Sequence, residues 1–319
     1  MKAVAVNSFN TLPLVMDLPE PAVKEGSIKI KLAAAGLNPF DWKMTDGIMK
    51  DDMAHVFPLI MGVDGAGVVT EIGAGVTRFK VGDKIYGQML HEPVGEGSYA
   101  EYVVVPETKV LAIAPETISL AEAAAAPTAG MTGLQLLTKA GLQSGQSVLL
   151  IGATGGVGSF TIQLANAKGI RVIATVSSPA AAERMIALGA AATVNYKESS
   201  IEEQVHNLYP DGVDVLIDLV SNKEDFHKMT TLVKPEGTVL TTQFVADKET
   251  LKAQYLHGGN FETKGSPASL DELRKAIDTG EIKIPIERKI SLEQAPAAIA
   301  ESRERKSRGK TIILIEAEG

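Results

Sequence analysis

The sequence predicts an α/β protein in which a small irregular β-barrel is combined with a doubly wound parallel sheet. Three observations lead to this class. Strand-like and helical segments alternate between residues 121 and 261, short strands and glycine turns fill the first part of the chain, and 319 residues exceed the usual size of one core. We therefore predict a discontinuous domain at 1–120 and 262–319 and a continuous domain at 121–261.

The first domain is predicted from β-rich segments that glycine turns separate. These segments are Ile28 to Ala33, Gly67 to Glu71 and Ser98 to Val105, with a turn-containing stretch from Val81 to Gly87. The pattern changes at Ser119, because Ser119 and Glu122 form a capping box ahead of an alanine-rich helical stretch that runs as far as Pro127. We place the domain boundary here.

The second domain is predicted from apolar strands that alternate with helical segments. The strands are Ser147 to Ile151, Ile170 to Val176, Val213 to Val220 and Thr238 to Thr242. Gly169 and Gly189 stand where helices end in a left-handed residue, and Ser178 before Pro179 has the composition of a helix start. Such alternation favours a parallel sheet with right-handed crossovers.

The C-terminal segment contains too few elements to fold as a domain of its own. A helix at 270–278, a strand at 282–290, a helix from 291 and a strand at 311–315 follow the last crossover. We expect this segment to return and complete the first domain.

Composition excludes several classes of function. A net charge of −8 provides no basic face for nucleic acid. The absence of cysteine excludes disulfides, thiolate nucleophiles and cysteine-based zinc sites. No apolar run approaches the roughly 18 to 20 residues that span a bilayer, and the chain begins with a strand-like segment, so we expect a cytoplasmic protein without membrane partners.

A glycine-rich turn between a strand and a helix predicts a dinucleotide site. The turn follows the apolar strand that ends at Ile151, and its residues are Gly152, Thr154, Gly155, Gly156, Val157 and Gly158, with Ala153 between the first two. Glycines let backbone N–H groups approach a pyrophosphate, and the helix dipole favours its charge. The alternative is a plain strand-to-helix turn.

The residues that follow the second strand of this domain favour NADPH over NADH. An NAD site usually places a carboxylate about 20 residues after the glycine turn, but Ser177 and Ser178 stand there. Hydroxyl groups do not repel a 2′-phosphate. Arg184 and Lys197 are candidate cations for that phosphate, and both are equally well explained as solvated charges.

Several stretches of the chain resemble the medium-chain dehydrogenase/reductase superfamily. They are Gly36 to Trp42, Gly62 to Gly67, Val81 to Gly87, Gly97 to Tyr102, Ala129 to Gly133 and Gly309-Lys310. The resemblance implies a GroES-like barrel split around a Rossmann domain, and a homodimer.

In the zinc-dependent members of this superfamily three side chains hold a catalytic metal. The corresponding positions here are Asn38, Val63 and Thr128. Valine has no lone pair, and the other two are weak neutral donors, so no metal site is predicted. The sequence is most similar to the zinc-free quinone oxidoreductases.

The resemblance also implies roles for individual residues. Thr132, Tyr196, Phe244 and Lys310 correspond to positions that line the cofactor in that group. Asn38 and Thr128 are our candidate catalytic residues, as donors to the oxyanion that forms on hydride addition. In the alternative, they fill the vacated metal position and bond to each other or to the backbone.

The predicted function is hydride transfer from NADPH to a small-molecule quinone or enone. One alternative is an enone or enoyl-thioester double-bond reductase, which shares the fold, the cofactor and the zinc-free site. Another is a non-catalytic NADPH-binding protein, since the glycine turn is compatible with both.

Overall fold

The computed structural model describes residues 1–304 and 309–316, so residues 305–308 and 317–319 of the predicted C-terminal segment lie outside it. The chain packs as two compact units. Unit 1 comprises Met1–Met131 and Gly265–Gly319, and unit 2 comprises Thr132–Lys264. No helix of the described residues is long and apolar enough to cross a membrane.

Unit 1 is built mainly on antiparallel strand pairs, and only its last two strands pair in parallel among the described residues. Its strands are β1 (Lys2–Val6), β2 (Leu14–Asp17), β3 (Ser27–Gly36), β4 (Leu59–Ile60), β5 (Asp64–Ile72), β6 (Lys84–Gln88), β7 (Tyr102–Pro106), β8 (Leu111–Ile113), β15 (Ile286–Ser291) and β16 (Lys310–Leu314). Its helices are α1 (Pro39–Thr45), α2 (Leu120–Ala123), α9 (Pro267–Asp278) and α10 (Ala295–Arg303), and Leu292–Gln294 is a 3₁₀ turn.

The C-terminal strand makes unit 1 discontinuous in sequence. The larger sheet has the order β15-β16-β3-β5-β6-β8, with β7 also paired to β3, and the smaller sheet has the order β2-β1-β4. β16 pairs antiparallel with β3, with Ile312 opposite Gly36. The C-terminal segment therefore adds β15 and β16 to the larger sheet, with β16 between β15 and β3.

Unit 2 is a parallel sheet with helices. Its strands are β9 (Ser147–Ile151), β10 (Arg171–Val176), β11 (Ala192–Asn195), β12 (Val213–Asp218), β13 (Val233–Thr241) and β14 (His257–Asn260), and its helices are α4 (Gly156–Ala167), α5 (Pro179–Ala187), α6 (Ile201–Leu208), α7 (Lys223–Thr230) and α8 (Lys248–Ala253). α3 (Pro127–Ala140) runs across the division between the units.

The strand order of unit 2 confirms the predicted doubly wound sheet. The order is β11-β10-β9-β12-β13-β14, and every neighbouring pair is parallel. Every residue of β9 is buried, as expected for a central strand with helices on both faces. The chain reverses its winding between β9 and β12, and ligands bind at such a point, outside the carboxyl ends of the strands.

The capping signals in the sequence are also confirmed. Ser119 and Glu122 form the reciprocal bonds of a capping box, and Ser178 accepts a hydrogen bond from the Ala181 N–H at the start of α5. Gly169 and Gly189 have φ values of 69° and 105°, the left-handed conformation that glycine tolerates at the end of a helix.

Some element limits differ from the sequence predictions for local reasons. The strand predicted to reach Val220 ends at Asp218, because the Asp218 carboxylate accepts the Ser221 N–H at 3.1 Å and turns the chain. The strand predicted from 282 begins after Pro285, whose missing N–H suits the edge of a sheet.

The first division between the units lies later than residue 120. α2 packs on β3, β5, β6 and β16, and a Cβ at Gly36 would lie 2.4 Å from the Ala124 carbonyl oxygen. This close approach keeps α2 with unit 1, whereas the sequence places it at the start of the second domain.

Candidate active site

The glycine turn of unit 2 leaves backbone N–H groups available at the carboxyl end of β9. Gly152 has a φ of 82°, and its N–H donates to Thr175 Oγ1 at 3.1 Å. α4 begins at Gly156, and its N-cap Gly155 contributes no side-chain cap. The first N–H groups of a helix have no partner within the helix, so this end of α4 can bind an anion.

Two of the glycines are required by close packing. A Cβ at Gly158 would lie 2.4 Å from the Ala153 carbonyl oxygen, and a Cβ at Gly152 would lie 2.9 Å from Val220 Cγ1. Thr154, Gly155, Gly156 and Val157 are all partly exposed. The turn therefore combines a backbone that only glycine permits with an accessible helix N-terminus, and it fits the pyrophosphate of a dinucleotide.

The residues predicted for the 2′-phosphate meet at the same edge of the sheet. Val176 at the end of β10 is paired with Asn195 at the end of β11, and the Tyr196 N–H donates to the Val176 carbonyl at 3.2 Å. Ser177 and Tyr196 follow these strand ends and are exposed. Ser178 instead uses its hydroxyl to cap α5.

The two remaining residues predicted for the cofactor in unit 2 differ in exposure. Thr132 is buried, and its hydroxyl is 2.8 Å from the Thr263 hydroxyl. Phe244 is 61% exposed and has a φ of 57°, a left-handed conformation that aromatic residues rarely adopt. Phe244 follows β13 at the carboxyl edge, so it lies on the side of the sheet where the glycine turn lies.

Unit 1 contains a buried polar cluster around Asn38 and Asp41. Asn38 is the N-cap of α1. The Asp41 carboxylate accepts the Asn38 N–H at 2.7 Å, the Tyr99 O–H at 2.6 Å and the Val63 N–H at 3.0 Å. Asp41 and Tyr99 are almost completely buried. Asp41 thus links the start of α1 to Val63, which lies just before β5.

Asp64 organises the other half of this buried polar cluster. It is fully buried and accepts the Asn38 Nδ2–H at 2.9 Å, together with the Thr128 N–H at 3.0 Å and the Thr128 O–H at 2.6 Å. The Lys310 ammonium donates to Asn38 Oδ1 at 2.6 Å and to the Leu37 carbonyl at 3.2 Å. Its Nζ lies 3.8 Å from Asp64 Oδ2.

Burial governs the ionisation of this cluster. Burial raises the pKa of Asp41 to about 7, although the bonds from Tyr99 and Asn38 lower it. Burial also raises the pKa of Asp64 and lowers that of Lys310, while the attraction between these two charges opposes both shifts. The charges of Asp64 and Lys310 therefore depend on their mutual attraction and on hydrogen bonds, because burial disfavours both.

The cluster brings together three residues that the sequence assigned to different roles. Asn38 and Thr128 both bond to Asp64, which agrees with the alternative that they fill the vacated metal position. Lys310 is only 3% exposed and bonds to Asn38. Its cofactor-binding role stays a prediction, and its contacts in the structure are with the cluster.

Asp64, Tyr99 and Gln88 also belong to this cluster, although no sequence motif assigned them to it. Gln88 Nε2 donates to Thr128 Oγ1 at 2.8 Å. A usable signal existed for Asp64, which is a charged residue inside the otherwise small and apolar segment Gly62 to Gly67. Gln88 carried a weaker signal, as a polar residue at the end of a strand-like segment.

The residues at the family's metal positions do not fit a zinc ion. Val63 offers only a side chain without a lone pair, and Asn38 and Thr128 are already bonded to Asp64. Among residues 1–304 and 309–316, no group of three or more histidine, aspartate or glutamate residues is placed to hold a metal.

Comparison with known families decides the membership of the chain. Residues 24–115 match the family described as alcohol dehydrogenase GroES-like domain, and residues 156–281 match the family described as zinc-binding dehydrogenase. The chain is also 34% identical over 314 residues to a 2-methylene-furan-3-one reductase of Solanum lycopersicum, covering 96% of this chain and 76% of that protein. The chain belongs to the medium-chain dehydrogenase/reductase superfamily.

Other relatives place it among the quinone oxidoreductase-like members of this superfamily. It is 31% identical over 89% of its length to an NADPH-dependent alkenal/one oxidoreductase of Arabidopsis thaliana, of which it covers 71%. The structure of the quinone oxidoreductase from Coxiella burnetii matches with a TM-score of 0.88 and 29% identity, over 99% of both chains. The predicted GroES-like and Rossmann fold class is confirmed.

Proposed function

We propose that this protein is an NADPH-dependent, zinc-independent reductase that transfers hydride to quinones or to other activated carbonyl or alkene acceptors. The observation that carries the proposal is the glycine turn at the carboxyl end of β9, where α4 presents an N-terminus without a side-chain cap. The similarity of most of this chain to a methylene-furanone reductase, an alkenal/one oxidoreductase and a quinone oxidoreductase supports the same chemistry.

Each unit contributes a distinct chemical task to this proposal. NADPH supplies the hydride when it is bound. The N–H groups at the start of α4 hold its pyrophosphate, and Ser177 and Tyr196 face its adenosine end. In unit 1 the buried polar cluster contains Asn38 and Thr128, the two candidate donors to the oxyanion, and to act as donors they would have to exchange their bonds with Asp64 for bonds to the acceptor.

Lys197 supports the preference for NADPH. Its Nζ lies 5.7 Å from the centroid of the Tyr196 ring, and exposed Ser177 follows the end of the neighbouring strand β10. The neighbouring carboxylate of Glu198 accepts the Asn195 Nδ2–H at 2.7 Å. An ammonium group, a hydroxyl group and an aromatic ring at one strand edge suit a 2′-phosphate better than an unmodified ribose.

The Lys197→Ala substitution tests this assignment by binding alone. We expect it to weaken 2′,5′-ADP binding about threefold to tenfold, as for one partly exposed phosphate contact. Binding of 5′-AMP, which lacks the 2′-phosphate, should not change. Calorimetry with both nucleotides provides the measurement, and Lys168→Ala, an exposed lysine at the end of α4, is the control. Equal effects on the two nucleotides would remove Lys197 from the phosphate site.

The activity is tested by steady-state oxidation of NADPH and NADH in parallel. The acceptors are one naphthoquinone, one benzoquinone, one alkenal and one enoyl thioester. We expect turnover of a quinone with NADPH. A tenfold or greater advantage in kcat/KM for NADH would contradict the cofactor assignment. If none of the four acceptors is reduced although NADPH binds tightly, a non-catalytic NADPH-binding protein would be favoured.

A double-bond reductase is the second candidate function. The relatives from Solanum lycopersicum and Arabidopsis thaliana, which match most of this chain, are by name a reductase of a methylene-furanone and an oxidoreductase of alkenals and enones. Turnover confined to the alkenal or the thioester would select this candidate.

A homodimer and a cytoplasmic location also belong to the proposal. β14 is the end strand of the unit 2 sheet, and its outer edge can pair with a second copy. Sedimentation should then give twice the mass of 33.7 kDa. The Arabidopsis thaliana relative is chloroplastic by name, so fractionation of the source cells is the test of location.

A further inference from the structure

Exposed apolar residues follow three strands at the carboxyl edge of the unit 2 sheet. Tyr196 follows β11, Val220 follows β12 and Phe244 follows β13, and all three side chains are exposed. Phe244 has a φ of 57°, a costly conformation for an aromatic residue that is retained mostly at functional sites. Exposed apolar surface at the carboxyl ends of parallel strands is typical of a ligand site. The glycine turn lies at the same edge, so one extended ligand can cover this row.

The strand order divides the dinucleotide between the two sides of the glycine turn. β10 and β11 lie on one side of β9, and β12 and β13 lie on the other. Because Ser177 and Tyr196 at the ends of β10 and β11 face the adenosine end, the nicotinamide nucleoside extends over β12 and β13. Neighbouring strands are about 4.8 Å apart. The ribose that follows the pyrophosphate therefore falls near the end of β12.

The residues after β12 lie directly against the glycine turn. The Leu219 N–H donates to the carbonyl of Ile151, the residue before Gly152, at 3.1 Å. A Cβ added to Gly152 would lie 3.2 Å from Leu219 Cβ and 2.9 Å from Val220 Cγ1. The backbone of Leu219 is thus a neighbour of the turn that binds the pyrophosphate.

Gln243 extends its side chain from the end of β13 to this place. Its Nε2 donates to the Leu219 carbonyl at 2.7 Å and to Thr242 Oγ1 at 3.3 Å. A carbonyl oxygen can only accept, so the amide nitrogen faces Leu219 and Oε1 faces away from it. The amide group therefore lies at the end of β12, one strand away from the glycine turn.

The Gln243 amide keeps an accessible acceptor. Within the part of the chain that the structure describes, the amide makes only these two bonds, and both use the nitrogen. The buried polar atoms that lack a partner among the described residues do not include Gln243 Oε1, so a ligand can reach this oxygen. The bond to Leu219 holds the amide in place before any ligand binds. A ligand hydroxyl can donate to Oε1 without breaking a bond of the protein.

We propose that Gln243 Oε1 accepts a hydrogen bond from a hydroxyl group of the nicotinamide ribose of NADPH. The inference rests on the proposed function, which places NADPH at the glycine turn. A ribose held at this position brings the nicotinamide nucleoside beside the apolar side chains of Val220 and Phe244. A few polar groups that fix orientation within an apolar lining are usual in cofactor sites. Gln243 thus binds the cofactor and positions its hydride donor.

The Gln243→Met substitution tests the contact by binding alone. Methionine has nearly the length of glutamine but no amide oxygen. We expect binding of NADP⁺ to weaken about threefold to tenfold, as for the loss of one neutral hydrogen bond. Binding of 2′,5′-ADP, which lacks the nicotinamide nucleoside, should not change. Calorimetry with both nucleotides provides the measurement.

Gln143→Met is the matched control for this substitution. Gln143 is an exposed glutamine of unit 2, and its Nε2 also donates to a backbone carbonyl, that of Gly141, at 3.1 Å. It precedes β9 and so lies at the amino edge of the sheet, away from the glycine turn. Its substitution should leave the binding of both nucleotides unchanged.

Cofactor analogues identify the group that donates to Gln243. Two analogues of NADP⁺ lack either the 2′-hydroxyl or the 3′-hydroxyl of the nicotinamide ribose. With one of them Gln243→Met should cause no further loss of affinity, because the bond is already absent. In the acetylpyridine analogue a methyl group replaces the amide nitrogen of nicotinamide, and the substitution should still weaken binding. If its effect disappears with the acetylpyridine analogue alone, Gln243 accepts from the carboxamide and the ribose assignment is overturned.

The remaining outcomes separate this inference from the proposed function. If the unmodified protein binds NADP⁺ and Gln243→Met binds both nucleotides equally well, the inference is overturned while the proposed function stands. Equal weakening of NADP⁺ and 2′,5′-ADP would also overturn it, because Gln243 would then be structural. If the methionine variant does not fold, Gln243→Ala, which admits water to the Leu219 carbonyl, takes its place in the same comparison. If the unmodified protein binds neither nucleotide, the proposed function itself fails.

Discussion

Replacing Lys310 with methionine removes a buried ammonium group from the polar cluster of unit 1. Lys310 is 3% exposed and Asp64 is fully buried. The substitution removes the bonds from Lys310 Nζ to Asn38 Oδ1 and to the Leu37 carbonyl. It also leaves the Asp64 carboxylate without its positive neighbour, so we expect unit 1 to be destabilised.

The magnitude follows from the distance between the charges. Nζ and Asp64 Oδ2 are 3.8 Å apart, which corresponds to an attraction of about 4 kcal/mol at an effective dielectric constant of about 20. Removing one partner of a buried ion pair usually costs about 3–5 kcal/mol. Removing both partners also relieves the desolvation of both charges, so Lys310→Met/Asp64→Asn should cost clearly less than the sum of the single changes.

Urea unfolding followed by tryptophan fluorescence measures this coupling. Trp42 is the only tryptophan of the chain, and it lies in α1 of unit 1 beside Asp41. We expect a coupling energy of about 2–4 kcal/mol between Lys310 and Asp64. Additivity of the two substitutions within about 0.5 kcal/mol would refute the reasoning. The exposed pair of Lys2 and Glu293, 3.0 Å apart, is the control and should show much weaker coupling.

Three further predictions concern other parts of the protein. Gly158→Ala should abolish NADPH binding in a fluorescence titration, because its Cβ would lie 2.4 Å from the Ala153 carbonyl oxygen; retained affinity would contradict the turn assignment. Because burial raises the pKa of Asp41 from 3.8 to about 7, the folded state holds a proton that the unfolded chain loses, so the unfolding free energy should fall between about pH 4 and pH 7, by at most about 1.4 kcal/mol per pH unit. The same titration of Asp41→Asn should lack this component, and an equal slope would rule Asp41 out as its source. Tyr99→Phe removes a bond that lowers the pKa of Asp41, so the fall should extend to higher pH; an unchanged profile would show that the bond does not control Asp41.

The fold class was predictable because it depends on signals that are local in sequence. The capping box at Ser119, the glycines that end helices and the buried strand before Gly152 each act within a few residues. Element limits were less predictable where a side chain turned the chain, as Asp218 does at the end of β12.

The cofactor site was more predictable than the polar cluster for the same reason. The glycine turn lies within one strand-turn-helix segment, and its chemistry depends on backbone groups. The polar cluster joins residues that are far apart in sequence, such as Lys310 and Asn38, which are 272 positions apart. No local pattern indicates which buried carboxylate will meet which ammonium group.

The sequence by itself determined the two-part α/β organisation, the glycine turn and the unsuitability of Asn38, Val63 and Thr128 as zinc ligands. These conclusions depend on residue types and short spacings. Only the tertiary structure decided that Asn38 and Thr128 donate their hydrogen bonds to Asp64, and that Gln88 donates to Thr128. Hydrogen-bond capacity is limited by valence, and its assignment depends on which groups long-range strand pairing brings together.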